Sequence, residues 1–110
     1  MREPTFLILT ALAQRSLHGY GVIREVSALS DGTVTLQAGT LYAALDRLTE
    51  ETLIELDREE VVDGRLRRYY RLTDQGASRL AAEMERLERN ARAAARSLTA
   101  RQAARPAPAQ

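Results

Sequence analysis

Four arginines and two tyrosines fall within seven consecutive positions: Arg65, Arg67, Arg68, Tyr69, Tyr70 and Arg71. Guanidinium forks pair with phosphate oxygens, and tyrosines add hydroxyls and ring faces, so this cluster suits contact with a polyanion. A second group, Gly39, Thr40, Tyr42, Ala43 and Arg47, mixes small and polar residues. Glycine and alanine let a backbone approach another surface closely. The hydroxyls can bond phosphates or bases, and an arginine can take a guanine edge or a phosphate bidentately. Other chemistry is excluded by composition. The chain has no cysteine, hence no disulfide, thiol nucleophile or thiolate metal site. Its one histidine, His18, rules out a multi-histidine metal site. With no nucleophile–base set, metal cluster or phosphate loop in the sequence, the chain is not read as an enzyme, and no cofactor or metal is expected. His18 itself reads as a helix-start residue that packs and hydrogen-bonds at a turn, in preference to a catalytic or pH-sensing group.

The elements that position these residues must fit in 110 residues, room for one compact domain with at most one protruding part. Apolar residues make up 45% and charged residues 28%, an ordinary globular balance. All 16 basic residues are arginine, and they are unevenly placed. Residues 1–62 hold five arginines against ten acids, and residues 63–110 hold eleven against five. The apolar run at 6–9 is too short to span a bilayer. Arg2, Glu3 and Pro4 before it carry no net positive charge, so it reads as a helix start and not as a leader, and a cytoplasmic location is expected.

Helical spacing of Phe6, Leu9, Leu12 and Ala13 predicts a helix over 4–15, with Pro4 in its first turn. Tyr20, Ile23, Val26 and Leu29 predict a second over 19–29, closed by Ser30-Asp31-Gly32. The β-branched alternation of 33–36 predicts a small strand. Leu41, Leu45 and Leu48 form the buried stripe of a third helix over 38–51. Alternation then predicts strands over 53–62 and 67–73, joined by the turn pair Asp63-Gly64, with Tyr70 and Leu72 on the core side. Thr73 suits an N-cap. From Ala77 onward Leu80, Met84, Leu87, Ala91, Ala94 and Leu98 recur at alternating intervals of three and four, a heptad seam. A helix of about 25 residues is about 37 Å long, more than a three-helix domain covers, so a second copy of it is the expected partner. Residues 99–110 lack periodicity and read as a disordered tail.

Three helices followed by a hairpin with a charged tip describe an α+β, mostly helical winged helix-turn-helix (1–72), with a long C-terminal dimerisation helix (73–98). In that architecture the third helix enters a DNA major groove and the hairpin, or wing, touches backbone or minor groove beside it. Gly39, Thr40, Tyr42, Ala43 and Arg47 would then face the bases, and Arg65, Arg67 and Arg68 the phosphates. Asp46 and Glu50 share that helix surface, and Asp46 suits acceptance from a cytosine amino group. Protection of an edge hairpin by charge accounts for Arg65 and Arg67. It leaves open why the arginines follow an acidic strand carrying Glu55, Asp57, Glu59 and Glu60. The expected function is a homodimeric, sequence-specific DNA-binding repressor. The alternative is a winged-helix protein-interaction module that does not bind DNA, and salt dependence of DNA affinity separates the two.

Over residues 4–98 the sequence resembles the PadR family of bacterial transcriptional regulators. Three stretches carry the resemblance: Leu17-His18-Gly19-Tyr20-Gly21, then Gly39-Thr40-Leu41-Tyr42-Ala43-Ala44-Leu45-Asp46-Arg47-Leu48, then the run from Gly64 to Gly76 through the hairpin. Two positions depart from the family pattern. Ala43 stands where proline is usual, and Thr52 where glycine usually ends the helix. The resemblance implies a homodimer joined mainly through the C-terminal helix, and a repressor released from DNA by a small-molecule effector.

Overall fold

The computed structural model describes residues 1–106. In chain order the elements are α1 (Glu3–Ala11), β1 (Leu17–His18), α2 (Gly19–Leu29), α3 (Ala38–Glu50), β2 (Ile54–Val62), β3 (Arg65–Leu72) and α4 (Asp74–Ala104). The strands form one antiparallel sheet in the order β1-β3-β2. One core is shared by Ile8, Leu9 and Leu12 at α1, Val22 and Val26 of α2, the α3 stripe, Leu53, Ile54 and Tyr70. Among the described residues no buried side-chain polar atom lacks a hydrogen-bond partner.

α1 starts with proline in its first turn, where the missing N–H leaves nothing unpaired. It ends at Ala11 and not at residue 15, though Leu12 stays in the core as its C-cap. α2 is capped by His18, whose Nδ1 accepts the Gly21 N–H at 3.3 Å. Its inner face is Gly19, Gly21, Val22 and Val26, whereas Tyr20 and Leu29 are exposed. The expected face was rotated because two of the buried positions are glycines, and a residue without a side chain leaves no mark on a hydropathy pattern.

Segment 33–36 is not a strand. The short strand is β1, paired to β3 through Leu17↔Tyr70 and His18↔Tyr69. Alternation and β-branching mark a segment as extended, but a ladder also needs an open edge, and β1 takes the side of β3 that β2 leaves free. Ser30 instead organises the loop. Its hydroxyl donates to the Val26 carbonyl at 2.9 Å and accepts the Val34 N–H at 3.0 Å.

Leu41, Leu45 and Leu48 are fully buried, as their spacing predicts. Truncating any one to alanine would cost on the order of 2–5 kcal/mol. The hairpin turn places Asp63 at φ 51° and Gly64 at φ 74°, the left-handed pair that matches strand twist. Tyr70 is buried and Leu72 half-buried on the core side. A bulge between Leu56 and Arg58 interrupts the register at Asp57, which accepts the Ser16 hydroxyl at 2.8 Å and so ties the wing to the loop after α1.

The base of the wing is locked to α4. Thr73 Oγ1 accepts the Gly76 N–H at 2.9 Å and donates to the Thr52 carbonyl at 2.7 Å. The Leu53 carbonyl accepts the Thr73 N–H at 3.1 Å. Gly76 is buried against this corner, and a Cβ there would stand 2.0 Å from the Leu53 oxygen. α4 then runs to Ala104, beyond the expected end at Leu98. Alanine and arginine are strong helix formers, so the lack of apolar periodicity over 99–104 marks exposure and not disorder. Arg105 is extended ahead of Pro106, as a residue before proline prefers. The last four residues of the expected tail, 107–110, lie outside the described residues. Only the start of α4 touches the domain. Leu80 packs on the core, and every described residue from 84 onward is exposed. At 31 residues the helix is about 46 Å long, and the chain measures 73 × 28 × 21 Å.

Gly76→Ala should lose about 3 kcal/mol in urea unfolding, because the added methyl meets backbone. Gly39→Ala, with nothing within 4 Å of its Cβ, should gain about 0.5 kcal/mol. Burial first, then Arg67 and Arg24, hold the His18 pKa below its ordinary 6.5. The folded state thus favours neutral His18. That contribution is complete above about pH 6.5 and declines as pH falls through this value. Urea midpoints should drop from pH 8 to pH 5, and His18→Asn, which keeps a capping acceptor, should remove that part of the drop.

Candidate nucleic-acid interface

With its leucines inward, α3 turns Gly39, Thr40, Tyr42, Ala43, Asp46, Arg47 and Glu50 to solvent. An open groove of about 690 Å³ separates this helix and the start of α2 from the wing. Tyr42 and Asp46 line it from α3, and Arg65, Leu66, Arg67 and Arg68 from β3. The two sequence clusters thus meet at one surface. Gly39 and Ala43 lie on the exposed α3 face next to Tyr42 and Asp46, and Thr40 and Arg47 share the far flank, about 160° and 140° from Tyr42 around the helix. On that flank Arg47 Nη2 donates to Thr5 Oγ1 at 2.9 Å, towards α1.

Besides Leu66 and Tyr70 of β3, three residues around the start of α2 line the groove without having been among the expected contacts: His18, Gly19 and Tyr20. These three form one motif, legible only as a helix opening, since the approach of β3 to the start of α2 is a tertiary event. Gly19 carries the Tyr42 ring almost on its backbone, and a Cβ there would fall 2.8 Å from Tyr42 Oη. His18 meets Tyr69 edge to face with centroids 5.3 Å apart. The Arg24 guanidinium lies 5.2 Å from the Tyr20 ring centroid.

Charge in the wing is more balanced than the arginine cluster suggests. From Ile54 to Leu72 five arginines face five acids. The register sets Glu55 opposite Arg71, Glu59 opposite Arg68 and Glu60 opposite Arg67. Arg71 pairs with Glu55 at 2.7 Å and Asp57 at 3.2 Å, and Arg68 with Glu59 at 3.8 Å. Arg58 pairs with Glu60 at 2.8 Å and Asp57 at 3.0 Å while lying 4.0 Å over the Tyr69 ring. The Ser16 hydroxyl, then Arg58 and Arg71, hold the Asp57 carboxyl below its usual pKa. The acidic strand beneath the arginines is therefore explained as their cross-strand counterpart. Arg65 and Arg67 form no ion pair among the described residues, which makes them the wing cations most open to a ligand. The rest of the positive excess is remote from the groove. After Glu88, α4 carries Arg89, Arg92, Arg96 and Arg101 and no acid.

Among the described residues no cluster of three potential metal ligands occurs, and no helix is long and apolar enough to cross a membrane.

The sequence pattern of the transcriptional regulator PadR-like family matches residues 8–82. The chain is 38% identical over 85 residues to the transcriptional regulator Rv3488 of Mycobacterium tuberculosis, covering 77% of this chain and 76% of that protein. It is 35% identical over 86 residues to the transcriptional regulator YqjI of Escherichia coli, 78% of this chain, but spans only 40% of that protein's length. Among solved structures, a PadR family transcription regulator from Clostridium difficile superposes with a TM-score of 0.74 at 23% identity, over 88% of this chain and 99% of that one. Bacillus subtilis PadR, crystallised in complex with operator DNA, superposes at 0.67 and 24% identity, over 76% of this chain and 48% of that one. These two likenesses establish the fold, a winged helix with a long C-terminal helix. With the sequence match over most of its length, the chain belongs to the PadR-like family of transcriptional regulators.

Proposed function

We propose that the protein acts as a homodimeric, sequence-specific repressor on an inverted-repeat operator, released by a small-molecule effector. The observation that carries this reading is the convergence of Tyr42, Arg65 and Arg67 on one groove, with both arginines free of ion pairs among the described residues. The operator complex of Bacillus subtilis PadR supports it. In this reading the N-terminal half of α3 enters the major groove. Gly39 and Ala43 allow close approach there, and Thr40 and Tyr42 supply hydroxyls. Arg65 and Arg67 hold phosphates, and Arg68 does so in competition with Glu59. Arg47, held by Thr5, meets a phosphate at the α1 edge and not a base.

The dimer rests on the unpartnered face of α4. Met84, Leu87 and Leu98 are 47%, 42% and 65% exposed, and Ala91 and Ala94 extend the stripe between them. Leu80 is already engaged with its own core, so the open seam begins at Met84. Leu87 also lines an apolar recess with Met1, Phe6 and Leu7, which continues the seam onto α1. An antiparallel crossing would set the arginine-only end of one α4 against the acid-bearing start of the other. An effector lodged in the recess would bear directly on this contact.

Selection of bound sequences from random duplexes tests the reading, and recovery of an inverted repeat with half-sites about 34 Å apart is expected. Failure to enrich any sequence, or a flat dependence of affinity on salt, would overturn it. Arg65→Ala combined with Arg67→Ala should weaken binding to all duplexes and reduce the log–log salt slope by about two. Leu87→Glu should elute as a monomer in size exclusion and lose about a hundredfold in operator affinity as the half-sites uncouple.

A further inference from the structure

The tip of the wing carries an apolar pair with no partner in its own fold. Val61 and Leu66 stand directly opposite each other across the hairpin, close to the Asp63-Gly64 turn. They are 72% and 60% exposed. Directly opposed residues share one face of a hairpin, and Leu66 lines the groove, so Val61 looks the same way. The hairpin does not need these types there. A polar β-former such as threonine would serve the strands equally and would spare the risk that an exposed apolar edge brings. Arg65 and Arg67, the two wing arginines without ion pairs among the described residues, precede and follow Leu66 and so project from the opposite face of β3. A tip with aliphatic groups on one face and free guanidinium groups on the other is complementary to a DNA minor groove, whose walls are sugar C–H surface and whose rims are phosphate.

We infer that Val61 and Leu66 form an apolar wedge that seats in the minor groove next to the major groove entered by α3, and so favours sites whose minor groove widens easily. The inference rests on the DNA-binding reading above. It adds a source of selectivity that needs no hydrogen bond to a base. B-form minor grooves are about 6 Å wide, too narrow for a two-stranded tip with side chains unless the duplex yields. Pyrimidine–purine steps yield most readily and A-tracts least. The tip therefore reads deformability at the flank of each half-site.

The test uses the full chain and a duplex recovered by selection with the wild type, beside the same duplex with its flanking pyrimidine–purine steps replaced by A-tracts. Wild type should bind the stiffened duplex several-fold more weakly. Val61→Thr combined with Leu66→Thr should leave the urea midpoint and the salt slope unchanged. It should bind the original duplex about tenfold more weakly and no longer distinguish the two. The wedge is overturned if the double variant binds both duplexes as wild type does, if its salt slope falls with its affinity, or if its oligomeric state changes. If wild type selects no duplex at all, the DNA-binding reading itself fails, a result separable from loss of the wedge alone.

Discussion

Burial of Leu41, Leu45 and Leu48 sets the rotation of α3 about its own axis, and the groove depends on that rotation. With three leucines at zero exposure, the helix cannot turn without placing apolar surface in water at about 25 cal/mol per Å². The surface opposite is then presented whatever its composition, and here it is small and polar at its N-terminal end. The absence of a side chain at Gly19 fixes a second feature, the resting place of the Tyr42 ring. A side chain at residue 19 would displace that exposed ring and carry the Tyr42 hydroxyl from its place at the groove.

The wing shows how misleading a count of charges is without register. Its arginines are largely balanced by the acids of β2, across the hairpin for Arg68 and Arg71 and along the same strand for Arg58, in pairs that are exposed and individually worth little. Their value is positional. Arg58, Arg68 and Arg71 are oriented along the sheet, and Asp57, pushed out by the bulge, gathers Ser16, Arg58 and Arg71 at one carboxylate. What remains uncommitted at the tip is two arginines and two aliphatic side chains, a small, mixed surface and not a broad basic patch.

The corner where α3, the wing and α4 meet joins the wing to the long helix through hydrogen bonds and close backbone packing. Thr52 occupies it at φ 61°, a left-handed conformation that most β-branched residues avoid. Its hydroxyl donates to the Gln75 side-chain oxygen at 2.7 Å, and its carbonyl accepts the Thr73 hydroxyl, bonds that offset the strain glycine would not feel. Gly76 lets the first turn of α4 rest on the Leu53 carbonyl.

Much of this molecule was legible from its residues alone. Periods of 3.6 and 2 located α3 and the hairpin, because those segments bury one face and expose the other, and an apolar stripe at heptad spacing located the first seven turns of α4. Asp63-Gly64 marked its turn because only certain residues tolerate the left-handed region. Where side chains were absent or uniformly exposed, the pattern was silent. Gly19 and Gly21 hid the buried face of α2, and the alanine–arginine end of α4 hid a helix. The tertiary structure alone decided which extended segment joined the sheet, which arginines were answered by acids, and that Arg47 turns to Thr5 while His18 and Tyr20 turn to the groove. Local sequence encodes which side of an element is apolar. Which elements come within hydrogen-bonding distance of one another is determined by packing between residues dozens of positions apart.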